Sequence, residues 1–239
     1  MINLTINDQP VAVKEGRTIL EACRENGFTV PTLCYHPALK PFGACRLCIV
    51  EISQPPRPSR LAAACTYPCE PGLQVQTDTP QVQKSRRITA ELLLASAWDS
   101  PEIQALAEQL GVREVRFRMP EENLCVLCGL CLRACQEIVG NNCLNFIYRG
   151  IQKKVSPPFQ VLSSTCIACG TCTLICPTGA ISLNDITGVG NYPAVHGISR
   201  EGEPAYCQLC GDVDLSVHFD QDLAELPIYP GSRVQTSGG

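Results

Sequence analysis

Aromatic side chains make up only 5% of the 239 residues, so something other than bulky rings is expected to fill much of the interior in at least two of the domains. No apolar run approaches the roughly 20 residues that a membrane-spanning helix needs, so any membrane link is expected to pass through a partner. The N-terminus, Met1-Ile-Asn-Leu-Thr-Ile-Asn-Asp8, has neither the basic start nor the apolar core of a secretory signal, and a cytoplasmic chain is expected. The formal net charge of −4 is mild and no basic block occurs, which excludes nucleic acid as an expected partner. There is also no G-x-G-x-x-G dinucleotide loop and no P-loop. Hydride and phosphoryl chemistry therefore have no seat in this sequence.

What the chain does have is cysteine, seventeen in all. Cysteine at this density without export argues for metal ligation in a reducing compartment, not for disulfides. The densest stretch reads Cys125-Val-Leu-Cys128-Gly-Leu-Cys131-Leu-Arg-Ala-Cys135 and, after thirty residues, Cys166-Ile-Ala-Cys169-Gly-Thr-Cys172-Thr-Leu-Ile-Cys176-Pro177. Each half is C-x2-C-x2-C-x3-C, the run that binds 4Fe-4S clusters in bacterial two-cluster ferredoxins. The two-residue gaps let three thiolates converge on one cubane from a single tight loop. The fourth cysteine follows on a short helix that points away, toward the other cluster. One centre, A, is thus expected on Cys125, Cys128, Cys131 and Cys176, and a second, B, on Cys166, Cys169, Cys172 and Cys135. Zinc sites or buried structural thiols are the plainer alternatives, and they do not explain a doubled eight-cysteine pattern closed by proline. Cys143 lies outside both runs and reads as a buried thiol.

The N-terminal part reads as β-rich. Ile2, Leu4 and Ile6 alternate with polar residues, Asn7-Asp8 turns the chain, and Val11 and Val13 alternate again, which is a hairpin pattern. Thr18 is a candidate N-cap for a helix carrying Ile19, Leu20, Ala22 and Cys23, with Gly27 at its end. Cys23 falls on the inward side of that helix and reads as a small buried hydrophobe. Four further cysteines, Cys34, Cys45, Cys48 and Cys65, follow a C-x10-C-x2-C-x16-C spacing that can hold a 2Fe-2S cluster with two thiolates per iron. Gly43 and Ala44 would let backbone amides approach the sulfides. His36 reads as packing the loop and not as a ligand.

The hairpin, the helix, Pro31-Thr-Leu-Cys34-Tyr-His-Pro37 and Gly43-Ala-Cys45-Arg-Leu-Cys48 together resemble the 2Fe-2S domain that opens the large iron–sulfur subunit of respiratory NADH dehydrogenase. The same opening occurs in the small diaphorase subunit of NAD-reducing nickel–iron hydrogenases (HoxU type), and in NAD-linked iron-only hydrogenases and formate dehydrogenases. The resemblance implies an α+β chain. A β-grasp 2Fe-2S domain would span 1–78, a helical spacer 79–118, a bacterial-type two-cluster ferredoxin domain 119–185, and an irregular tail 186–239. It favours Cys65 over Cys69 as the fourth two-iron ligand, since Ala64-Cys65-Thr66 matches the family. Gln54-Pro-Pro-Arg-Pro58 in the last gap is expected to lengthen a loop between two strands. In the relatives the spacer carries a histidine and three cysteines for one more four-iron cluster; Ile88 to Arg118 has neither residue type, so that cluster is expected to be missing.

Within the spacer, Thr79-Pro80 and Ser100-Pro101 are helix starts. Val82, Ile88, Leu92 and Leu93 form the expected inward stripe of the first helix, and Ile103, Leu106 and Leu110 that of the second, which Gly111 closes. Phe146 to Gly150 reads as a strand and turn between the ferredoxin halves, and Ala180 to Leu183 as a returning strand. In the tail, Cys207 and Cys210 form a C-x2-C pair that could bind zinc or a cluster shared with a partner, with His218 as a third candidate ligand.

The functional expectation is an electron-transfer subunit with one 2Fe-2S and two 4Fe-4S clusters, inside an NAD(P)(H)-linked hydrogenase, formate dehydrogenase or bifurcating complex. The resemblance implies a flavin- and NAD(H)-binding partner subunit at one end. At the other it implies a hydrogenase or other low-potential catalytic subunit. A succinate or fumarate enzyme subunit is an alternative disfavoured by the ten-residue first gap, and a diffusible ferredoxin or scaffold is disfavoured by the spacer and the tail.

Overall fold

The computed structural model describes residues 1–116, 124–157, 166–167 and 169–181, and the backbone at 194–195 and 198–199. The chain begins with a hairpin, β1 (Ile2–Ile6) and β2 (Gln9–Val13). Leu4, Ile6, Val11 and Val13 are all buried. Asn7 and Asp8 take φ of 49° and 64°, the left-handed pair of a two-residue turn that matches strand twist. Helix α1 (Ile19–Glu25) starts at Thr18, whose hydroxyl accepts from the Glu21 N–H while the Glu21 carboxylate accepts from the Thr18 N–H. This reciprocal cap satisfies two orphan donors at the helix start. Ile19, Leu20, Ala22 and Cys23 of α1 are buried.

Strands β3 (Ile49–Gln54), β4 (Arg57–Ala63) and β5 (Gln74–Gln76) complete a five-stranded sheet in the order β2-β1-β5-β3-β4, with β5 parallel to β1 and antiparallel to β3. The Gln54–Pro58 segment is not the long loop expected. Gln54 pairs with Arg57, so only Pro55 and Pro56 turn the chain and the added residues extend both strands. Pro58 is tolerated because β4 is an edge strand, where a missing N–H need not break a ladder bond. Under the sheet lies an ordinary apolar core of Leu4, Ile6, Val13, Ile19, Leu20, Val50, Ile52, Leu73 and Val75. The core is built from aliphatic side chains rather than rings, and Cys48 and Cys65 belong to the same cluster.

Helices α2 (Pro80–Ser96) and α3 (Pro101–Gln109) start at Thr79 and Ser100, each accepting an N–H three residues on. Gly111, at φ +75°, ends α3 in the left-handed geometry that glycine adopts without strain. The buried face of α2 differs from the expected stripe. Val82, Arg86, Ala90, Leu94 and Ala95 are buried, whereas Ile88 and Leu92 are 45% and 50% exposed. Residues 82, 86, 90 and 94 lie on one helical row, and an arginine within it hides the period. Nor is the segment a mere spacer. Ala90, Leu94, Ala97, Ile103 and Leu106 share one apolar cluster with Leu33, Leu47, Leu130, Ala134 and Ile175, so the helices lie in the core that joins the two cysteine-rich regions.

The second cysteine-rich region contains α4 (Leu130–Ala134), a π-helical turn (Cys135–Val139), and a small hairpin of β6 (Asn145–Ile147) with β7 (Lys154–Ser156). It ends with α5 (Thr171–Leu174). Ala180 and Ile181 are not in a strand, and the rest of that expected strand lies outside the described residues. In the tail, β8 (Ala194–Val195) pairs with β9 (Ile198–Ser199). Among the described residues no helix is long and apolar enough to cross a membrane.

Candidate metal centres

The loop after α1 carries Cys34, Cys45 and Cys48, and the turn after β4 carries Cys65, each at most 9% exposed. They are paired: the Cys34 and Cys45 thiols share a hydrogen bond, and so do those of Cys48 and Cys65. Within each pair the neighbour's donated hydrogen favours one thiolate, so Cys34 is held down to about 6 and Cys48 to about 7. Their partners Cys45 and Cys65 are pushed well up by the same bonds and by burial. Backbone donors also face the sulfurs. The Cys45 N–H donates to Cys34 Sγ at 3.4 Å, and Arg46, at φ 62°, turns the Leu47 N–H toward Cys45. Gly43 sits at φ +68°, and a Cβ there would stand 3.1 Å from Thr66 Cγ2, so the loop closes tightly over this site. Cys69 is elsewhere. Its N–H donates to the Arg17 carbonyl at 2.8 Å, and its charged neighbours are Cys23, Glu21 and Glu25. His36 is buried, with Nδ1 accepting from the Ala38 N–H at 3.2 Å; this is a loop-packing contact.

In the second region the two halves repeat one device. Gly129 and Gly170 stand at φ 74° and 75° ahead of α4 and α5, and each lets a cysteine loop turn directly into a helix. Cys125, Cys128 and Cys131 feel one another and Cys176, while Cys172 feels Cys166, Cys169 and Cys135. Cys176 thus bears on the first three cysteines of the first run, and Cys135 on Cys172 of the second. Backbone N–H groups of Leu127 and Leu130 face the Cys125 and Cys128 sulfurs, and the Cys143 N–H donates to Cys135 Sγ at 3.3 Å. Cys143 itself is buried. Burial pushes the thiols of Cys125, Cys128 and Cys131 up, Cys128 to about 12, and Cys172 likewise to about 12.

This donor chemistry fits iron–sulfur clusters. Several buried thiols at such short range can all ionise only around a cationic core, which takes the place of their protons. Among the described residues no three His, Cys, Asp or Glu side chains are placed to hold one metal ion directly. Cys207, Cys210 and His218 lie outside the described residues.

The regions meet through residues that the cysteine pattern does not flag. Arg133, inside the C-x3-C of α4, is buried and donates to the carbonyls of Cys34 and Lys40, both at 2.6 Å, and of Gly129 at 3.3 Å. Its guanidinium also lies 5.1 Å from the centre of the Phe42 ring. The Lys40 N–H donates to Glu137 Oε2 at 2.8 Å. On the far side of the two-iron loop the buried Arg86 donates to the carbonyls of Leu47 and Ile49, at 3.1 and 2.8 Å. A Cβ on Gly129 would stand 3.2 Å from Phe42 Cε1 and 3.4 Å from Phe146 Cζ. Gly129→Ala is therefore expected to cost about 1–3 kcal/mol in strain and crowding. The readout is a lower urea midpoint for loss of iron–sulfur absorbance.

These features define a chain of two ferredoxin-type modules on a shared core. Residues 1–80 match the 2Fe-2S iron-sulfur cluster binding domain and residues 124–180 the 4Fe-4S dicluster domain. The chain is 32% identical to an NADH-quinone oxidoreductase subunit of Rhizobium meliloti (strain 1021), covering 76% of this chain and 24% of that one. It is 30% identical to the NADP-reducing hydrogenase subunit HndD of Solidesulfovibrio fructosivorans, covering 76% and 36%. One chain of the NAD+-reducing [NiFe]-hydrogenase, in a crystal structure of its H2-reduced state, superposes with a TM-score of 0.57 at 30% identity, covering 65% of this chain and 74% of that one. The chain belongs to this family of iron–sulfur subunits of NAD(P)-linked oxidoreductases. It spans about a quarter to a third of the length of these curated relatives.

Proposed function

We propose that the chain is a one-electron relay subunit of a multi-subunit NAD(P)(H)-linked oxidoreductase. In this reading Cys34 and Cys45 hold one iron of a 2Fe-2S cluster in a β-grasp domain, and Cys48 and Cys65 hold the other. Centre A is a 4Fe-4S cluster on Cys125, Cys128, Cys131 and Cys176. Centre B is another on Cys166, Cys169, Cys172 and Cys135. When bound, such clusters supply one-electron carriers of low potential. The chain's own residues bury them, aim N–H groups at their sulfurs and set their spacing.

The observation that carries this reading is that the three cysteine sets form an unbroken series. Cys34, Cys45, Cys128 and Cys131 share one buried cluster, and Cys172 packs against it, which supports a two-iron set adjoining A and A adjoining B. The relatives named above are NADH- or NADP-linked proteins, which supports a flavin and NAD(H)-binding subunit at one end and a hydrogenase or similar enzyme at the other. Iron–sulfur ligation by so many cysteines supports a reducing, cytoplasmic setting.

Purified anaerobically and reduced with dithionite, the chain is expected to give electron paramagnetic resonance signals from one two-iron and two four-iron centres, about ten irons in all. Alone it should neither retain FMN nor oxidise NADH. Flavin binding or NADH turnover by the isolated chain would overturn the relay reading.

A further inference from the structure

The geometry points to Arg133 as the positioning residue that fixes the two-iron centre against centre A and places positive charge beside the two-iron set. This inference rests on the ligand sets proposed above. Arg133 stands between Cys131 and Cys135 in sequence, yet its side chain leaves that motif. It crosses to the other module and bonds the backbone carbonyl of Cys34 at 2.6 Å, while a second nitrogen of the same fork bonds Lys40 at 2.6 Å. One rigid guanidinium therefore grips a ligand residue of the two-iron set from the helix that carries a ligand of set A. A planar fork can do this and a single ammonium cannot.

The charge argument is separate. Arg133 is 5% exposed, and among the described residues the ion pairs are those of Arg17 and Arg116, not of Arg133. A buried cation bonded only to carbonyls is costly unless anions lie near it. The candidates are Glu137, which accepts from the Lys40 N–H, and the two-iron set, whose Cys34 carbonyl Arg133 itself bonds. Reduction of either centre adds one electron and one unit of negative charge, with no bond made or broken. A fixed cation bonded at Cys34 would favour the reduced form of the two-iron centre, because net charge and hydrogen bonding set cluster potential. Arg86 provides a built-in comparison. It is 6% exposed and grips Leu47 and Ile49, on either side of Cys48, but it bonds only to the two-iron loop.

The test uses the full chain carrying its clusters, in wild-type, Arg133→Met, Arg133→Lys and Arg86→Met forms. Two quantities are read by electron paramagnetic resonance during a dithionite titration. One is the midpoint potential of the two-iron signal; the other is the relaxation enhancement of that signal by reduced centre A. In Arg133→Met the midpoint should shift negative and the enhancement should fall. In Arg133→Lys the midpoint should return toward wild type while the enhancement stays low. In Arg86→Met the midpoint should shift with the enhancement intact. Unchanged values in Arg133→Met overturn the proposal, as does an equal loss of enhancement in Arg86→Met. If Arg133→Met loses iron, Arg133→Lys decides, since full wild-type enhancement there removes the need for the fork. A wild-type chain without a two-iron signal overturns the ligand reading itself. Normal wild-type signals with indifferent Arg133 variants overturn only the role of Arg133.

Discussion

Cys65→Ser is expected to abolish the two-iron signal, while Cys69→Ser leaves it at full intensity. Both residues end the same sequence gap, four positions apart, and both are buried. Their surroundings separate them. Cys65 shares a hydrogen bond with Cys48 and lies in the field of Cys34 and Cys45, whereas Cys69 lies beside Cys23 and two glutamates of α1. Burial pushes the Cys69 thiol up to about 11, and it stays protonated at neutral pH, as a small apolar side chain does. Serine at 65 removes one of four thiolates from a buried site. Iron analysis should find about two irons lost in the Cys65 variant, with the four-iron signals retained. The sheet should survive this loss, because β1, β2, β3, β5 and α1 pack an apolar core of their own. A two-iron signal that persists in Cys65→Ser and vanishes in Cys69→Ser would reverse the assignment.

Much of this site was legible because cysteine spacing and helix caps are local signals. The C-x2-C-x2-C-x3-C runs, the Thr18, Thr79 and Ser100 caps and the Asn7-Asp8 turn all follow from residues within a few positions of one another. What could not be read is long-range. Arg86 breaks the apolar row of α2, so the period pointed to Ile88 and Leu92, which the fold leaves exposed. Arg133 looks like a surface charge within a ligand motif until the carbonyl of Cys34, 99 positions away in sequence, accepts from it. The one local hint was an arginine at the centre of a C-x3-C whose neighbours are all apolar or cysteine. The extended β3–β4 hairpin was missed for a related reason: consecutive prolines suggest a loop, and only an edge position lets a strand carry Pro58.

Cys135→Ser is expected to damage centre B and spare centre A, although Cys135 belongs by sequence to the run that supplies A. Helix α4 carries the chain away from the Cys125–Cys131 loop, and Cys135 opens the π-helical turn that follows. There its sulfur accepts from the Cys143 N–H at 3.3 Å, and its charge bears on Cys172, as do those of Cys166 and Cys169. Cys176 bears on Cys125, Cys128 and Cys131 in return. A serine at 135 should therefore remove up to about four irons, the same loss as Cys166→Ser, and the double variant should lose no more than either one alone. Effects on one shared centre do not add. Both variants should keep the two-iron signal, and both should loosen the second cysteine-rich region, because cluster ligation there supplies folding free energy. Proteolysis under anaerobic conditions gives an independent readout, with faster cleavage in this region and an intact N-terminal sheet. If Cys135→Ser instead removed centre A with Cys166→Ser removing B, the double variant would lose about eight irons and the two runs would each bind their own cluster.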